Sequence, residues 1–270
     1  MRRFEINRLT IETIDAVLEG AGRERIELDL RAVGFVDPYA VLILELLRVD
    51  CDEAGRGLRI LWPESPRVRR WLSDMGLQGH PTSGSKAGDD ALQPITRIED
   101  EAGIGRVVER FHRRLAQRYP LTEMSRRALI AVLIELFQNI PHHSNATGTI
   151  DDPHGAAAMQ DYEDSIVVAI ADRGVGLSAS LGLRDGYQGL TDAGALDLVF
   201  HQGISRFSDP GRGGELRRIA ELIRSWDGTL AVRTGRALYY FDPRSGDTYD
   251  VPYFPGLQLA LRLPMRAFLA

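Results

Sequence analysis

Residues 164–176 read DSIVVAIADRGVG, an unbroken apolar run that leads into a cluster of glycines. The part from Asp164 to Ala171 predicts a buried strand, because it is short, rich in β-branched residues and bounded by turn formers. Asp172 follows directly and could accept a hydrogen bond from an exocyclic amine such as that of adenine. Gly174 and Gly176 would let the backbone approach a flat ligand closely. Asp-Gly clusters also form ordinary turns, so this stretch decides the strand but not the ligand.

Two further segments of the second half place polar groups beside apolar elements. Ser125 to Gln138 predicts a buried helix, and Glu135 and Asn139 lie four residues apart on one face of it. Asn139 could give an amide oxygen to Mg²⁺ while Glu135 positions or deprotonates a nucleophile; alternatively, both side chains are hydrated at a helix end. Pro210 to Gly214 precede a helix predicted from Glu215. Such a glycine loop can bind an anion through free N–H groups, although a flexible turn is the plainer interpretation.

Taken in order, these three segments resemble the ATP-binding domain of histidine-kinase-like, or GHKL, ATPases, and the resemblance covers about residues 96–267. It implies that Asn139 binds Mg²⁺, that Asp172 recognises adenine, and that the second glycine box wraps the phosphates of ATP. Gly174 and Gly176 match the first glycine box of that family, and Gly211, Gly213 and Gly214 match the second. Leu177 to Pro210 would then form a lid that phosphate and Mg²⁺ order, with a long loop before the second box.

Within that family the chain is most similar to the anti-sigma-factor serine kinases. The similarity rests on the spacing Glu-x-x-x-Asn-x-x-x-His, here Glu135, Asn139 and His143. It implies that Glu135 is the base toward a serine hydroxyl and that His143 belongs to the nucleotide site. The sequence departs from the family at Pro141, which predicts that the helix ends or kinks there. It departs again at Glu215, which would repel phosphate unless it points outward.

The first half, residues 1–79, alternates strand and helix patterns, which favours a small α/β layer structure. Its pattern around Phe35-Val36-Asp37 resembles a STAS domain, the fold of anti-sigma-factor antagonists. Phosphorylated members of that family carry Ser or Thr two residues after the Asp, whereas this chain has Tyr39. The resemblance therefore implies a docking or dimerisation module rather than a phosphorylated switch.

The two halves are expected to be separate domains. Residues 80–95 are rich in Gly, Ser, Pro and Asp and predict a linker. We therefore expect a STAS-like α/β domain over 1–79 and a GHKL-like α+β sandwich over 96–270. The sandwich should have helices on one face of a mixed, mainly antiparallel sheet. The acidic stretch from Asp151 to Asp164 is interpreted as an insertion that is mobile or contacts a partner.

Composition narrows the classes of function. The 270 residues include 33 Lys and Arg against 38 Asp and Glu, which argues against a dedicated nucleic-acid binder. The single cysteine, Cys51, excludes an internal disulfide and a Cys-rich zinc site. The sequence contains neither an apolar run of roughly 18 residues nor a signal-peptide pattern. We expect a cytoplasmic protein without a membrane segment.

Two functions follow from these expectations. The first is a Mg-ATP-binding regulator of the anti-sigma type that phosphorylates a Ser or Thr of a protein partner, itself of the STAS or regulator type, or hydrolyses ATP slowly. The alternative is an ATP-gated interaction or scaffold module in a larger signalling or defence assembly, without significant turnover. The sequence leaves open which of the two applies, and whether the chain forms a homodimer.

Overall fold

The computed structural model of the chain describes residues 7–20, 24–77, 93–98, 101–120, 122–143, 152, 154–206 and 214–267. In the first half the strands are β1 (Arg8–Leu9), β2 (Arg25–Asp29), β3 (Phe35–Val36) and β4 (Gly57–Leu61), and the helices are α1 (Asp15–Leu18), α2 (Pro38–Glu53) and α3 (Pro66–Asp74). Strand β1 pairs with β3 and strand β2 with β4, and both pairings are parallel. Strands and helices alternate, as the sequence predicts for this half.

Helix α2 is the central element of the first half. Asp37 is its N-cap, and the Ala40 N–H donates a hydrogen bond of 2.8 Å to the Asp37 Oδ1. Pro38 takes the first helical position, where a missing N–H has no cost. Every side chain from Pro38 to Leu47 is buried. A helix at a surface buries only one stripe of side chains, so α2 must be covered on more than one side.

The second half is built on a five-stranded sheet. Its strands are β5 (Gln93–Arg97), β6 (Ala156–Asp161), β7 (Ser165–Ala171), β8 (Thr229–Phe241) and β9 (Gly246–Pro264), in the order β5-β6-β7-β9-β8. Its helices are α4 (Glu101–Arg118), α5 (Glu123–His143), α6 (Gly176–Gly182), α7 (Asp192–Phe200) and α8 (Glu215–Ser225), and a 3-10 turn spans Met265–Ala267. All neighbouring strands pair antiparallel. The predicted α+β character is confirmed, and the described sheet is wholly rather than mainly antiparallel.

The two faces of this sheet carry different side chains. One face, the helix face, packs its large apolar residues against α4 to α8, and includes Ile166, Val168, Ile170, Leu230, Val232, Leu257, Leu259, Leu261 and Leu263. The other face, the alanine face, carries Ala156, Ala158, Ala169, Ala171, Ala231 and Ala260. Helix α2 packs against β6 and β7 on the alanine face and shares one core with these alanines. The helices of the second half therefore lie on one face of the sheet, as expected, and small side chains let helix α2 of the first half cover the other face.

The predicted linker, residues 80–95, ends in regular structure. Strand β5 begins at Gln93, whose side chain is fully buried, and the Ile95 N–H donates to the Met75 carbonyl oxygen at 2.9 Å. Pro94 is tolerated because β5 is an edge strand of the sheet, where a missing N–H breaks no ladder. The last three residues of the predicted linker thus belong to the sheet, and residues 80–92 lie outside the described part of the chain.

Part of the acidic stretch from Asp151 to Asp164, which was expected to be mobile or to contact a partner, is regular structure. Its residues Ala156–Asp161 form strand β6, which pairs with β7 along its whole length. The strand is almost entirely buried, with alanines in place of the branched residues that usually mark a strand.

Helix α5 is longer than the sequence predicts. It spans Glu123–His143 and continues through Pro141, where an end or a kink was expected. A proline removes one hydrogen bond of the ladder, and here it lies close to the helix end. The buried side chains of Leu136, Phe137 and Ile140 hold the preceding turn in the core. Among the described helices, α5 included, none combines the length and the apolar character that crossing a bilayer requires.

Candidate functional site

A pocket lies between α5, α6, α7, the start of α8 and strand β9. Its wall, called the α5–α8 pocket below, includes Asn139, Ser180, Arg206, Gly214, Glu215 and Leu257. The cavity volume of this pocket is about 40 Å³, which is room for only a few water molecules, and the pocket is partly open to solvent. Two residues predicted from distant motifs, Asn139 and Gly214, therefore share one wall.

The turn from Asp172 to Gly176 lies against the same wall. Asp172 is buried, with 3% of its surface exposed. Its Oδ1 accepts hydrogen bonds from the Gly174 N–H at 2.7 Å and from the Leu257 N–H at 3.3 Å, and its own N–H donates to the Leu257 carbonyl oxygen at 3.0 Å. Asp172 is absent from the pocket wall itself. The hydrogen bonds to Leu257, which lines the pocket, fix the carboxyl group beside it.

Two glycines pack this turn tightly against the neighbouring strands. Gly176 has φ +74°, and a Cβ there would lie 2.8 Å from the Thr234 Oγ1. Gly256 has φ +86°, and a Cβ there would lie 2.1 Å from the Asp172 carbonyl oxygen. The Thr234 Oγ1 also accepts a hydrogen bond of 2.9 Å from the Leu177 N–H at the start of α6. Close backbone approach requires glycine at both positions, and Thr234 anchors the first turn of α6.

Asn139 and Glu135 have different environments although they lie one turn apart. Asn139 is partly buried, lines the pocket, and donates from Nδ2 to the Glu135 carbonyl oxygen at 3.1 Å. The amide oxygen is the acceptor of that side chain, and an amide oxygen is a ligand that Mg²⁺ accepts. The Glu135 side chain is exposed and is not part of the pocket wall. His143 is the last residue of α5, and its side chain lies outside the described part of the structure.

The second glycine box is described only at its last residue. Gly211 and Gly213 lie outside the described residues, whereas Gly214 has φ +73° and caps the N-terminus of α8. Glu215 lies in the pocket wall and pairs with Arg218 at 3.5 Å, so it does not simply point away from the site. Its charge is a real obstacle to phosphate that this ion pair reduces.

The stretch expected to be a lid, Leu177 to Pro210, contains two helices joined by turns. Helices α6 and α7 occupy somewhat less than half of it, and α7 buries Ala195, Leu196, Val199 and Phe200 in the core. The Arg184 guanidinium donates to the Ser205 carbonyl oxygen at 3.0 Å. Burial lowers the pKa of Arg206 in the pocket wall. Within the described part, this stretch contributes a packed wall, and residues 207–210 lie outside that part.

Tyr39, the position at which the resemblance to STAS domains would place a phosphorylated residue, is inaccessible. Tyr39 is fully buried in α2, and no described residue hydrogen bonds to its hydroxyl. Burial raises the pKa of Tyr39 above its ordinary value, with the nearby Asp37 adding to the effect. A kinase could not reach this hydroxyl without displacing the helix.

Sequence reasoning missed several residues of the site. Thr234 and Leu257 come from β8 and β9, and only the pairing of these strands brings them beside Asp172. The Pro255-Gly256 pair was the available signal, because a glycine inside a strand pattern often marks close backbone approach. Among the described residues, no group of three or more His, Cys, Asp or Glu side chains could hold a metal ion.

Comparison with known proteins gives no family. A scan against protein-family models finds no match. A search of curated proteins finds no significant match either. The chemistry of the pocket must therefore be argued from its own residues.

Proposed function

We propose that the protein binds Mg-ATP in the α5–α8 pocket and acts as a GHKL-like regulator of the anti-sigma type. One observation carries the proposal: Asn139 and Gly214, predicted from motifs far apart in the sequence, line one pocket beside the Asp172 turn. Asp172 would recognise the adenine amine, Asn139 would hold Mg²⁺, and the N–H groups at the start of α8 would meet phosphate. Bound Mg²⁺ would neutralise phosphate charge near Glu215.

The pocket must widen to take a nucleotide. Small-molecule sites usually enclose about 300–1,000 Å³, far more than the 40 Å³ of this pocket. The segment Ile204–Arg206 lines the pocket and leads into the second glycine box, so its displacement is the simplest way to open the site. We therefore expect ATP to change the backbone of this segment while leaving the Asp172 turn in place.

Calorimetry with Mg-ATP tests the site. Asp172→Asn keeps an oxygen for the Gly174 and Leu257 N–H groups but loses the charged acceptor offered to adenine. We expect it to weaken binding by about tenfold to a hundredfold. Asp242→Asn is the matched control, because the Asp242 Oδ1 accepts from the Arg244 and Ser245 N–H groups in a similar turn far from the pocket. Equal losses in both variants, or no binding to the unaltered protein, would contradict the proposal.

Glu135 separates the two functions that the proposal allows. As a kinase, the protein would use the exposed Glu135 carboxylate to take the proton from a partner's Ser or Thr hydroxyl as the phosphoryl group transfers. As an ATP-gated interaction module, it would need Asn139 but not Glu135. Labelled ATP and candidate partner proteins distinguish these cases. If Glu135→Gln abolishes transfer but keeps ATP affinity, the protein is a kinase. If Glu135→Gln keeps biological output while Asn139→Ala abolishes it, nucleotide binding suffices.

The second function also has an observation in its favour. The first half is joined to the second half through the alanine face, and Tyr39, where the STAS resemblance would place a phosphorylated residue, is buried. A fixed attachment of this kind suits a module that changes partner choice when nucleotide binds.

A further inference from the structure

We propose that Arg173 is a positioning residue through which the first half controls nucleotide binding at the Asp172 turn. This inference rests on the proposed function and adds its regulation. Arg173 lies between Asp172 and Gly174, so its side chain leaves the turn that holds the candidate adenine carboxylate. Carboxylates of helix α2, in the first half, form ion pairs with that side chain. Docking of the first half and binding of nucleotide would then favour each other.

Two ion pairs at the C-terminal end of α2 hold the Arg173 side chain. The Arg173 guanidinium donates from one nitrogen to the Asp50 Oδ1 at 2.6 Å and from the other to the Glu53 Oε2 at 2.7 Å. The Arg173 side chain is only 12% exposed. Two carboxylates on successive turns of one helix fix the direction of the guanidinium, since its planar fork accepts few geometries. The turn cannot shift without stretching these bonds.

The carboxylates are themselves held, so the pairs are part of a network. The His154 Nε2 lies 2.6 Å from the Glu53 Oε1, and Arg56 pairs with Asp50. Burial acts to raise the pKa of Glu53, but hydrogen bonds from Arg173 and His154 outweigh it and keep the pKa below its ordinary value. Glu53 is therefore ionised at neutral pH, as its ion pair with Arg173 requires.

A second link reaches the other side of the same turn. Arg233 on β8 has no exposed surface, pairs with Asp15 of α1, and donates to the Pro252 carbonyl oxygen at 2.9 Å. The next residue is Thr234, whose hydroxyl accepts from the Leu177 N–H. The first half thus holds one residue next to Asp172 and another next to Thr234.

Some buried polar atoms at the contact between the two halves have no hydrogen-bond partner among the described residues. No described residue hydrogen bonds to the Tyr39 hydroxyl, the Arg173 Nε, the Arg233 Nε or the Gln258 Oε1, all of which are buried. Buried polar atoms without partners reduce the stability that a contact supplies. By linkage, any gain in ATP affinity from docking of the first half returns as tighter docking when ATP is bound.

Mg-ATP affinity of the full chain tests the inference. We expect Arg173→Gln to weaken binding about tenfold, a typical coupling between sites, and Arg173→Lys to keep most of it because its ammonium can still reach one carboxylate. Glu53→Gln, at a half-exposed position that does not endanger folding, should weaken binding a few-fold. Arg59→Gln is the control, since Arg59 pairs with Glu27 on the far strands of the same half.

Hydrogen exchange supplies the reciprocal measurement. Mg-ATP should slow exchange of the amides at Asp50 to Ala54 in the unaltered protein and not in Arg173→Gln. Unchanged affinity in Arg173→Gln and Glu53→Gln, with ATP bound normally by the unaltered protein, would overturn this inference alone. Loss in Arg173→Lys equal to that in Arg173→Gln would also overturn it. An unaltered protein that binds no ATP would overturn the proposed function and this inference together.

Discussion

The helix face and the alanine face belong to one sheet but are packed by opposite means. On the helix face, large side chains such as Ile170 and Leu259 reach up to five helices and fill the space between them. On the alanine face, Ala169 and Ala260 leave little side chain to fill any space, and helix α2 brings the large residues instead. One core therefore draws its volume from the strands, and the other draws it from the helix.

This difference shows what a small residue on a strand means. An alternation of large and small apolar residues is usually interpreted as one buried and one solvated face. Here the small face is buried as well, and the polar groups on it, Arg233 and Gln258, have no exposed surface. Each has found partners, in Asp15 and in the carbonyl oxygens of Asp172 and Pro255. The alanine face is an internal contact surface, not a solvated one.

The largest expected effect on stability comes from a substitution on the helix face. Ile170→Ala removes a side chain that is 1% exposed and leaves a cavity beneath the helices. We expect the free energy of unfolding to fall by about 2–5 kcal/mol. Urea unfolding followed by far-UV circular dichroism measures it. A fall below about 1 kcal/mol would mean that the helices collapse into the space.

Ala169, which precedes Ile170 in the sequence, tests the alanine face by the opposite change, a larger side chain. Ala169→Leu adds volume where α2 already touches the sheet, at a position with no exposed surface. Overpacking of this kind typically costs about 1–3 kcal/mol. The same urea titration applies, with Ile170→Ala as the paired variant. A Leu tolerated without cost would show that α2 does not press on this face.

The N-terminal end of α2 should make the stability of this contact depend on pH. Burial raises the pKa of Asp37 to about 7, although the hydrogen bond from Ala40 acts against it; Glu12 adds to the rise and Arg262 opposes it. The folded state therefore binds a proton more tightly than the unfolded state. The free energy of unfolding should therefore fall as pH rises from about 4 to about 7.

Asp37→Asn isolates this contribution, because its amide oxygen can still cap α2 but does not titrate. Urea midpoints of both proteins from pH 4.5 to 8 give the comparison. The difference should move in favour of the variant as pH rises and level off above pH 7. Parallel curves would mean that Asp37 titrates normally in the folded state.

The smallest effect concerns the outer strands of the first half, which touch neither face. Arg59 and Glu27 pair at 3.1 Å, but the Arg59 side chain is 73% exposed. Arg59→Gln should change the free energy of unfolding by less than about 0.5 kcal/mol, and added salt should shrink even that. A loss above about 1 kcal/mol would place this pair in the same class as the interior ion pairs of Arg173 and Arg233.

Local patterns in the sequence were sufficient for part of the molecule. Strand β7 and helix α8 were predicted close to their observed bounds, because one is an unbroken apolar run and the other has a strong apolar period. The helix that contains Glu135 was also predicted, but five residues short at its C-terminal end. The Asp172 turn was also found, since its glycines follow the strand directly. The GHKL-like and STAS-like assignments remain proposals.

What the sequence could not supply depends on contacts between distant residues. Strand β6 was taken for an acidic insertion, because alanines give a weak strand signal until β7 pairs with them. The double burial of α2 depends on a sheet formed more than a hundred residues later. Helices α6 and α7 were hidden by Gly182, Gly186 and Gly189, which punctuate the stretch like a loop. Nothing in the sequence marked Arg173 as a functional residue, because its role depends on ion pairs with Asp50 and Glu53 that only the fold forms.

The alanine face also has a consequence for how this chain can change over generations. A substitution on one side of a shared core alters the shape that the other side must match, so α2 and the strands beneath it cannot vary independently. Enlarging Ala158 or Ala169 would require a smaller residue on α2, and the reverse holds for Leu42 or Ile43. The two halves are therefore expected to be inherited as a unit, and an exchange of first halves between related chains should succeed only when both surfaces move together.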